Sequence, residues 1–442
     1  MNVSAAMSRL RNAVPTPVSV TVGKLARQAT RIRGGGGSAF PGLVVERLDP
    51  NFLARSLADL PRGVVVVSGT NGKTTTTKMV VELLEGQGLT VFTNRSGSNF
   101  TRGVVASLLG EVGLNGRLKA DIAVLELDEA HAVHFVKAVA PDYSLLLNVM
   151  RDQLDRFGEI DTTADLLRTI ATHTTNAVVL NREDPRVRRI SEALSTQSVS
   201  YFGLDPALHS HFPSDDDFHG AAPSYPDAAA ALPDAAVILT GLTRTGGSFS
   251  FAGHEISTTL QVNGAYNTYN AAAALALVHQ ILGPTINEDA LVTSLAAVSP
   301  AFGRGESLTV NGQPLDLVLV KNPAGFRLGL SSFAPTGVAS MIAINDNYAD
   351  GRDMSWLWDV SFESLAEDGV SVVSGVRAYD MALRLRYDEV DFAAVQTDLS
   401  AALETFLAAH PDQPKRIFCT YTAMLALRKL LGSYTTVEAF DV

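Results

Sequence analysis

Cysteine is almost missing from this chain: Cys419 is the single one in 442 residues. One thiol cannot close an internal disulfide and rules out a cysteine-rich zinc site. Its simplest role is that of a small buried hydrophobe. Long apolar runs are missing too; nothing approaches the run of about 18 residues that a transmembrane helix requires. Basic charge is in deficit, with a net charge of −11, which argues against nucleic acid as the default partner. Acids, in turn, are absent from residues 1–33, where the charged residues are Arg9, Arg11, Lys24, Arg27, Arg31 and Arg33. This segment has no long apolar core before a cleavage site, so it does not read as a signal peptide. It fits a cationic amphipathic helix touching anionic lipid, and equally a solvated arm or a helix packed on a domain. Gly34–Gly37 then reads as a flexible joint.

What is present begins with length enough for two or three domains and an apolar content of 46%, sufficient for sizeable cores. Residues 64–77 read VVVVSGTNGKTTTT. Val64–Val67 is a short β-branched run, the mark of a strand buried on both faces of a parallel sheet. Ser68–Gly72 is a loop of small residues, and Thr75–Gly86 has helical spacing of Met79, Val80, Leu83 and Leu84. Strand, Gly-rich loop and helix N-terminus in that order make an anion site. The residues Gly69, Thr70, Asn71, Gly72, Lys73, Thr74 and Thr75 would hold the phosphates of a nucleotide. Lys73 adds a full charge, and the Thr74 hydroxyl can ligate Mg2+. The loop is two residues shorter between its glycines than the usual phosphate-loop pattern.

From residue 45 to about 200, strand and helix alternate. Leu89–Asn94, Asp121–Ala130, Pro141–Met150 and Asn176–Asp184 read as strands, which implies a doubly wound parallel sheet with ligands beyond the strands' carboxyl ends. Residues 204–235 break the pattern and read as an irregular insertion. Its His209, His211 and His219 lie near Asp215–Asp217 and have metal-binding chemistry, although a solvated loop accounts for them as well. Strands resume at VILTG, SFSFAG and STTLQVNG, followed by a helix from about Tyr266. AFGRGESLTV (Ala301–Val310) reads as a hinge into a third unit. That unit has strands at Asp316–Val320, Met341–Asn345, Gly369–Gly375 and Arg416–Thr420, with helices between them. The expected organisation is a basic arm and glycine linker over 1–44, a central α/β nucleotide domain over 45–310, and a smaller α/β domain over 311–442.

Several acids and amides fall at predicted strand ends. Glu126, followed by Asp128 and Glu129, can hold Mg2+ beside a triphosphate. RDQLDRFGEID (Arg151–Asp161) puts Asp152, Asp155 and Arg156 at the same crevice. Asn267 and Asn270 open a helix, where they can read adenine or ribose or merely cap it. Arg304, in FGRGE, can reach nucleotide phosphates on domain closure.

These segments together resemble the Mur ligase family over essentially all of residues 45–442. GTNGKTT, the strand-end Glu126, DQLDRFG, the N-x-x-N-A-A helix and the G-R-x-E hinge occur in family order. NRSGSNFTRG, LVKNPAGF (Leu319–Phe326) and INDNYADGRDMSWLWD (Ile344–Asp359) are similar to the MurT-type branch. The resemblance implies a P-loop central domain and a smaller C-terminal domain. It implies MgATP-dependent phosphorylation of the D-glutamate α-carboxylate in the lipid II stem peptide, then attack by ammonia to give D-isoglutamine. It also implies a partner, a GatD-like glutaminase that supplies the ammonia, and gives Asp353 the role of acid in that partner's Cys-His triad. On the residues alone Asp353 is a turn or helix-start aspartate. The implied place of work is the cytoplasm, at the inner face of the membrane.

Departures from the family accompany these expectations. Gln153 stands where many Mur ligases have histidine. DLLRTI offers Arg168 where they often carry a carbamylated lysine, so a second Mg2+ held by a carbamate is not expected. No zinc ribbon is expected in 204–235, and the amino-terminal substrate domain is not recognisable. Two rivals are a stand-alone Mur or folylpolyglutamate-type amino-acid ligase and a nucleotide-binding switch that makes no bond.

Overall fold

In the computed structural model the chain is described over residues 16–32, 39–94, 99–150, 160–212, 232–243, 245–262, 264–300, 304–332 and 337–437. The valine run forms β1 (Val64–Ser68), and every residue of it is buried. Side chains alternate across a strand, so Val65 and Val67 enter one core while Val64 and Val66 enter another. A strand with a core on each side must be central.

The strands that follow are β2 (Val91–Thr93), β3 (Ile122–Glu126), β4 (Tyr143–Leu146), β5 (Ala177–Asn181), β6 (Ser198–Leu204), β7 (Val237–Thr243), β8 (Gly246–Phe251) and β9 (His254–Thr259). They make one sheet in the order β2-β3-β1-β4-β5-β6-β7-β8-β9. It is parallel from β2 through β7 and antiparallel over the last two pairings. Helices Lys73–Gly86, Ala265–Leu282 and Glu288–Ala297 cover one face. Helices Ala39–Leu48, Thr101–Glu111, Glu129–Ala138 and Ile160–His173 cover the other. The chain leaves β1 towards β2 and β3 on one side, then crosses over β1 to β4 on the other. The loop after β1 therefore lies at the switch point, where parallel sheets open a crevice.

A second sheet has the order β10-β11-β15-β12-β13-β14. Its strands are β10 (Arg304–Val310), β11 (Gln313–Leu319), β12 (Ala339–Ala343), β13 (Val370–Ser374), β14 (Phe392–Gln396) and β15 (Lys415–Cys419). All pairs but β10–β11 are parallel. The α/β class and Mur-like architecture expected from the sequence are what the chain adopts.

Three differences from the sequence reading have physical causes. The segment read as a hinge, Ala301–Val310, supplies β10, the edge strand of the second sheet. Its signal was Asn311-Gly312: both residues take positive φ, +52° and +78°, which is the two-residue hairpin connection that Asn-Gly favours. β6 ends at Leu204, and Pro206–His211 is a 3-10 turn capped by Asp205, whose carboxylate accepts the Ala207 N–H at 2.9 Å. The irregular stretch therefore starts later than expected, and residues 213–231, with His219 and Asp215–Asp217, lie outside the described residues. His209, read as a loop histidine, sits 3.3 Å from the Glu183 carboxylate.

The basic segment, finally, is a packed helix over Thr16–Ile32. Val20 is fully buried against the central domain, and Lys24 Nζ donates to the Val112 carbonyl at 2.8 Å. One face of the helix thus packs on the domain, as one of the open readings has it, and the other stays exposed; Gly34–Gly37 lies outside the described residues.

Candidate active site

The phosphate loop is shaped by two glycines that nothing larger can replace. Gly69 has φ +135°, and a Cβ there would lie 2.9 Å from the Asn148 backbone nitrogen. Gly72 has φ +87° and caps the helix Lys73–Gly86; its Cβ would lie 2.6 Å from Asn270 Oδ1. Positive φ and close approach both demand glycine. The loop is further fixed by β4's exit segment. Asn148 accepts from the Asn71 N–H at 2.8 Å, donates to the Asn71 carbonyl at 3.0 Å, and its own carbonyl accepts from Thr70 N–H at 3.0 Å. Thr70 Oγ1 accepts from the Met150 N–H at 3.0 Å.

Charge is concentrated where the loop meets β3. Lys73 is buried; its ammonium donates to the Gly69 carbonyl at 2.6 Å and lies 3.3 Å from Glu129. Thr74 Oγ1 donates to Glu126 Oε1 at 2.8 Å. Glu126 is held at the carboxyl end of β3 by Asn94, which accepts its N–H at 3.0 Å and donates to its carbonyl at 2.8 Å. Asp128 is buried next to them, and its Oδ1 has no hydrogen-bond partner among the described residues. A hydroxyl and a carboxylate already in contact, with an unsatisfied carboxylate oxygen two residues on, make an oxygen-rich donor set suited to a hard divalent cation. The residues present therefore fit Mg2+, which Thr74 and Glu126 would hold.

Asn270 lies against Gly72, and its amide donates to Asn267 Oδ1 at 3.4 Å. The sequence reading offered adenine recognition or capping for this pair; the structure sets Asn270 at the phosphate loop itself. Asp152, Gln153, Asp155 and Arg156 fall outside the described residues. Arg168 is on the helix Ile160–His173, paired with Asp165 at 2.7 Å on the surface.

The second domain reaches the loop through residues to which the sequence reading gave no role. Lys321 Nζ donates to the Thr70 carbonyl at 3.1 Å. Asn322, almost fully buried, donates to Asn71 Oδ1 at 3.1 Å, while its own oxygen accepts from the Gly325 N–H at 2.7 Å and caps the helix Pro323–Ser332. Both follow β11 directly, and carboxyl ends of parallel strands are where such groups are expected. Arg304 is the first residue of β10 and pairs with Val318 of β11. Two residues on, Glu306 forms a bidentate ion pair with Arg428, at 2.7 and 2.8 Å, which ties β10 to the helix Tyr421–Leu431. Arg304 thus travels with the second domain.

Asp353 is not part of this cluster among the described contacts. It is partly exposed, and its Oδ1 accepts the Ser355 N–H at 2.9 Å at the start of a 3-10 turn, Ser355–Asp359. The buried acid of that loop is Asp350. It accepts from Thr422 N–H at 2.7 Å and from the Thr422 hydroxyl and Asn347 N–H, and burial raises its carboxyl above the usual carboxylate range. Five residues beyond Asp353 the chain exposes Trp358. Trp358 stacks edge-on with Tyr387, and Tyr379, Leu383 and Tyr387 share one face of the helix Ala378–Tyr387, all exposed to solvent.

Comparison with known proteins identifies the family. The Mur ligase middle domain model matches residues 67–278, and the MurT ligase C-terminal model matches residues 319–424. The MurT subunit of the glutamine-hydrolysing lipid II isoglutaminyl synthase of Streptococcus pneumoniae is 32% identical, across 95% of this chain and 99% of its own length. Among solved structures, MurF from Acinetobacter baumannii superposes with a TM-score of 0.67 at 19% identity, over 89% of this chain and 80% of its own. MurF from Thermotoga maritima in complex with ADP gives 0.64 at 18% identity, over 86% and 81%. These two establish the shared fold. The chain belongs to the MurT branch of the Mur ligase family, a family of ATP-dependent ligases.

Proposed function

We propose that this chain is the synthetase subunit of a lipid II amidating enzyme, which converts the D-glutamate α-carboxylate of the stem peptide to an amide. The observation that carries the reading is the closure of a MurT-type C-terminal domain, through Lys321 and Asn322, directly onto the phosphate loop. A nucleotide phosphate held in that loop is thereby presented to both domains.

The chemistry follows from the electrophile. A carboxylate resists attack by an amine. Transfer of the ATP γ-phosphoryl group to a carboxylate oxygen gives an acyl phosphate and ADP. Ammonia then adds to the carbonyl carbon, the C–O bond to phosphate breaks, and a proton is lost, leaving amide and inorganic phosphate. Charge on the transferring group is the main burden. Lys73 lies between loop carbonyls and Glu129, poised to exchange the carboxylate for a phosphate oxygen. Gly69, Thr70, Asn71, Gly72 and Thr75 shape the loop and helix start, Asn267 and Asn270 support it, and Arg304 arrives with the second domain. Thr74 and Glu126 would hold Mg2+, which would supply charge neutralisation at the phosphates.

Ammonia is proposed to come from a GatD-like glutaminase docked beside Asp353. The support is physical: a carboxylate offers about four acceptor sites, so one that accepts a backbone N–H can still accept from a partner's histidine. The exposed aromatic pair Trp358–Tyr387, close to it in the chain on the Trp358 side, has the character of an interface. With a lipid-linked substrate, the complex would work at the inner face of the membrane.

The decisive experiment combines the chain with MgATP, lipid II and ammonium, with and without a co-expressed glutaminase and glutamine, and follows lipid II by mass spectrometry. The expected product carries the mass change from acid to amide. A peptide product would favour the stand-alone ligase, and unchanged lipid II despite ATP hydrolysis would overturn the proposal.

A further inference from the structure

Exposed large apolar side chains on the central domain are confined to one place among the described residues. Val18, Leu25, Phe40 and Leu114 all belong to the outer layer built on the helix Thr101–Glu111. In the helix Thr16–Ile32, Ser19, Val20 and Gly23 face inward. A Cβ on Gly23 would meet Val45 and Leu109 side chains within 2.8 Å. The opposite face carries Val18, Thr21, Leu25, Gln28 and Ala29, all exposed and none charged. Val18 and Leu25 are two turns apart on that face, 49% and 62% exposed. Lys24 lies at its flank and bonds the Val112 carbonyl, whereas Arg27 is on the packed side, against Gly110.

The layer leads to the active site at one end. Gly42, two residues beyond exposed Phe40, is so close to the Arg102 carbonyl that a Cβ would lie 2.0 Å from it. Just before Arg102, the Asn99 carbonyl accepts the Asp128 N–H at 3.1 Å. A few contacts therefore separate Phe40 from the acids around Lys73. Charge identifies what covers the face. Residues 1–33 hold six basic residues and no acid in a chain whose net charge is −11. An uncharged face carrying Val18 and Leu25, set in an acid-free basic segment of an otherwise anionic molecule, complements an anionic lipid surface.

We infer that the outer face of the helix Thr16–Ile32, with Phe40, docks the protein on an anionic bilayer and places the crevice beside lipid-borne substrate. The inference rests on the proposed lipid-linked substrate. It is tested by vesicle flotation of the full chain with its glutaminase partner. The vesicles are phosphatidylcholine alone or phosphatidylcholine mixed with phosphatidylglycerol. Wild type is expected to float with the mixed vesicles and to be released by salt. The Leu25→Glu/Phe40→Glu variant, altered at exposed positions, should bind about tenfold more weakly with an unchanged melting temperature. It should still amidate a water-soluble stem-peptide analogue at the wild-type rate while losing activity on vesicle-embedded lipid II. Equal binding to both vesicle types, undiminished binding of the variant, or a change in oligomeric state with no lipid effect would each overturn the docking face. Failure to amidate either substrate, with flotation intact, would instead sink the functional reading and leave the face standing.

Discussion

Two loops of this molecule follow buried parallel strands, and they solve opposite problems. The loop after β1 draws its partners inward. Lys73, Thr74, Glu126, Glu129 and Asn148 meet within one chain, and a second domain adds Lys321 and Asn322. The loop after β12 commits its buried acid, Asp350, to its own fold and leaves Asp353 partly exposed. Under the proposed function, the first is a site completed by the chain itself and the second is half a site. A completed site fails when one internal group is removed, whereas half a site fails in an activity that belongs to two proteins.

That contrast can be broken most forcefully at Lys73. Lys73→Ala removes the buried cation from the phosphate loop, and ATP turnover should fall by about three orders of magnitude, the scale of losing a charge that stabilises phosphoryl transfer. The same variant should lose amidation whether nitrogen comes from ammonium or glutamine. ATP hydrolysis retained at the wild-type level would remove the phosphate-loop assignment. Asp353→Asn should behave differently. Glutamine hydrolysis by the complex should drop by about a hundredfold or more, because a triad acid orients its histidine and balances the charge that forms on it. Ammonium-driven amidation should stay close to wild type. Equal loss of both would move Asp353 from the partner's chemistry to this chain's folding.

How readily each loop can be read from sequence follows the same division. The valine run, the glycines and Lys73-Thr74 all act through local geometry, so the order of strand, turn and helix is enough to mark the anion site. Glu126 is legible because it ends a buried strand. Asn270 is visible only as a helix-start amide; its placement against Gly72 needs the tertiary approach of the helices Lys73–Gly86 and Ala265–Leu282. Lys321 and Asn322 escape a sequence reading because each meets a partner 251 positions away, across a domain boundary. The Asn-Gly turn that converts a supposed hinge into β10 is a local signal that went unused. Asp353 has no local signature at all. A capping aspartate and a triad aspartate look alike until a partner is considered, and only the family resemblance separates them.

The smallest expected effect tests whether Asp350 is the structural acid of its loop. Burial raises its carboxyl above the usual aspartate value, against the lowering influence of its hydrogen bonds from Thr422 and Asn347. The folded chain therefore binds that proton more tightly than the unfolded chain does. Stability contributed by the protonated form is fully present below the unfolded value and is lost as pH rises through the folded one. In Asp350→Asn the side-chain oxygen still accepts from the Thr422 N–H. The new NH2 group faces the Asn347 N–H, so one hydrogen bond, worth about 1 kcal/mol, is forfeited at every pH. The stability difference between wild type and variant should hence shrink as pH rises across the acidic range, in thermal melts of the two proteins at matched ionic strength. A difference that grows with pH would mean that the hydrogen bonds outweigh burial. Glutamine hydrolysis in the complex should survive this substitution while falling in Asp353→Asn. Two aspartates three residues apart would then be separated, one holding the loop and the other serving the partner.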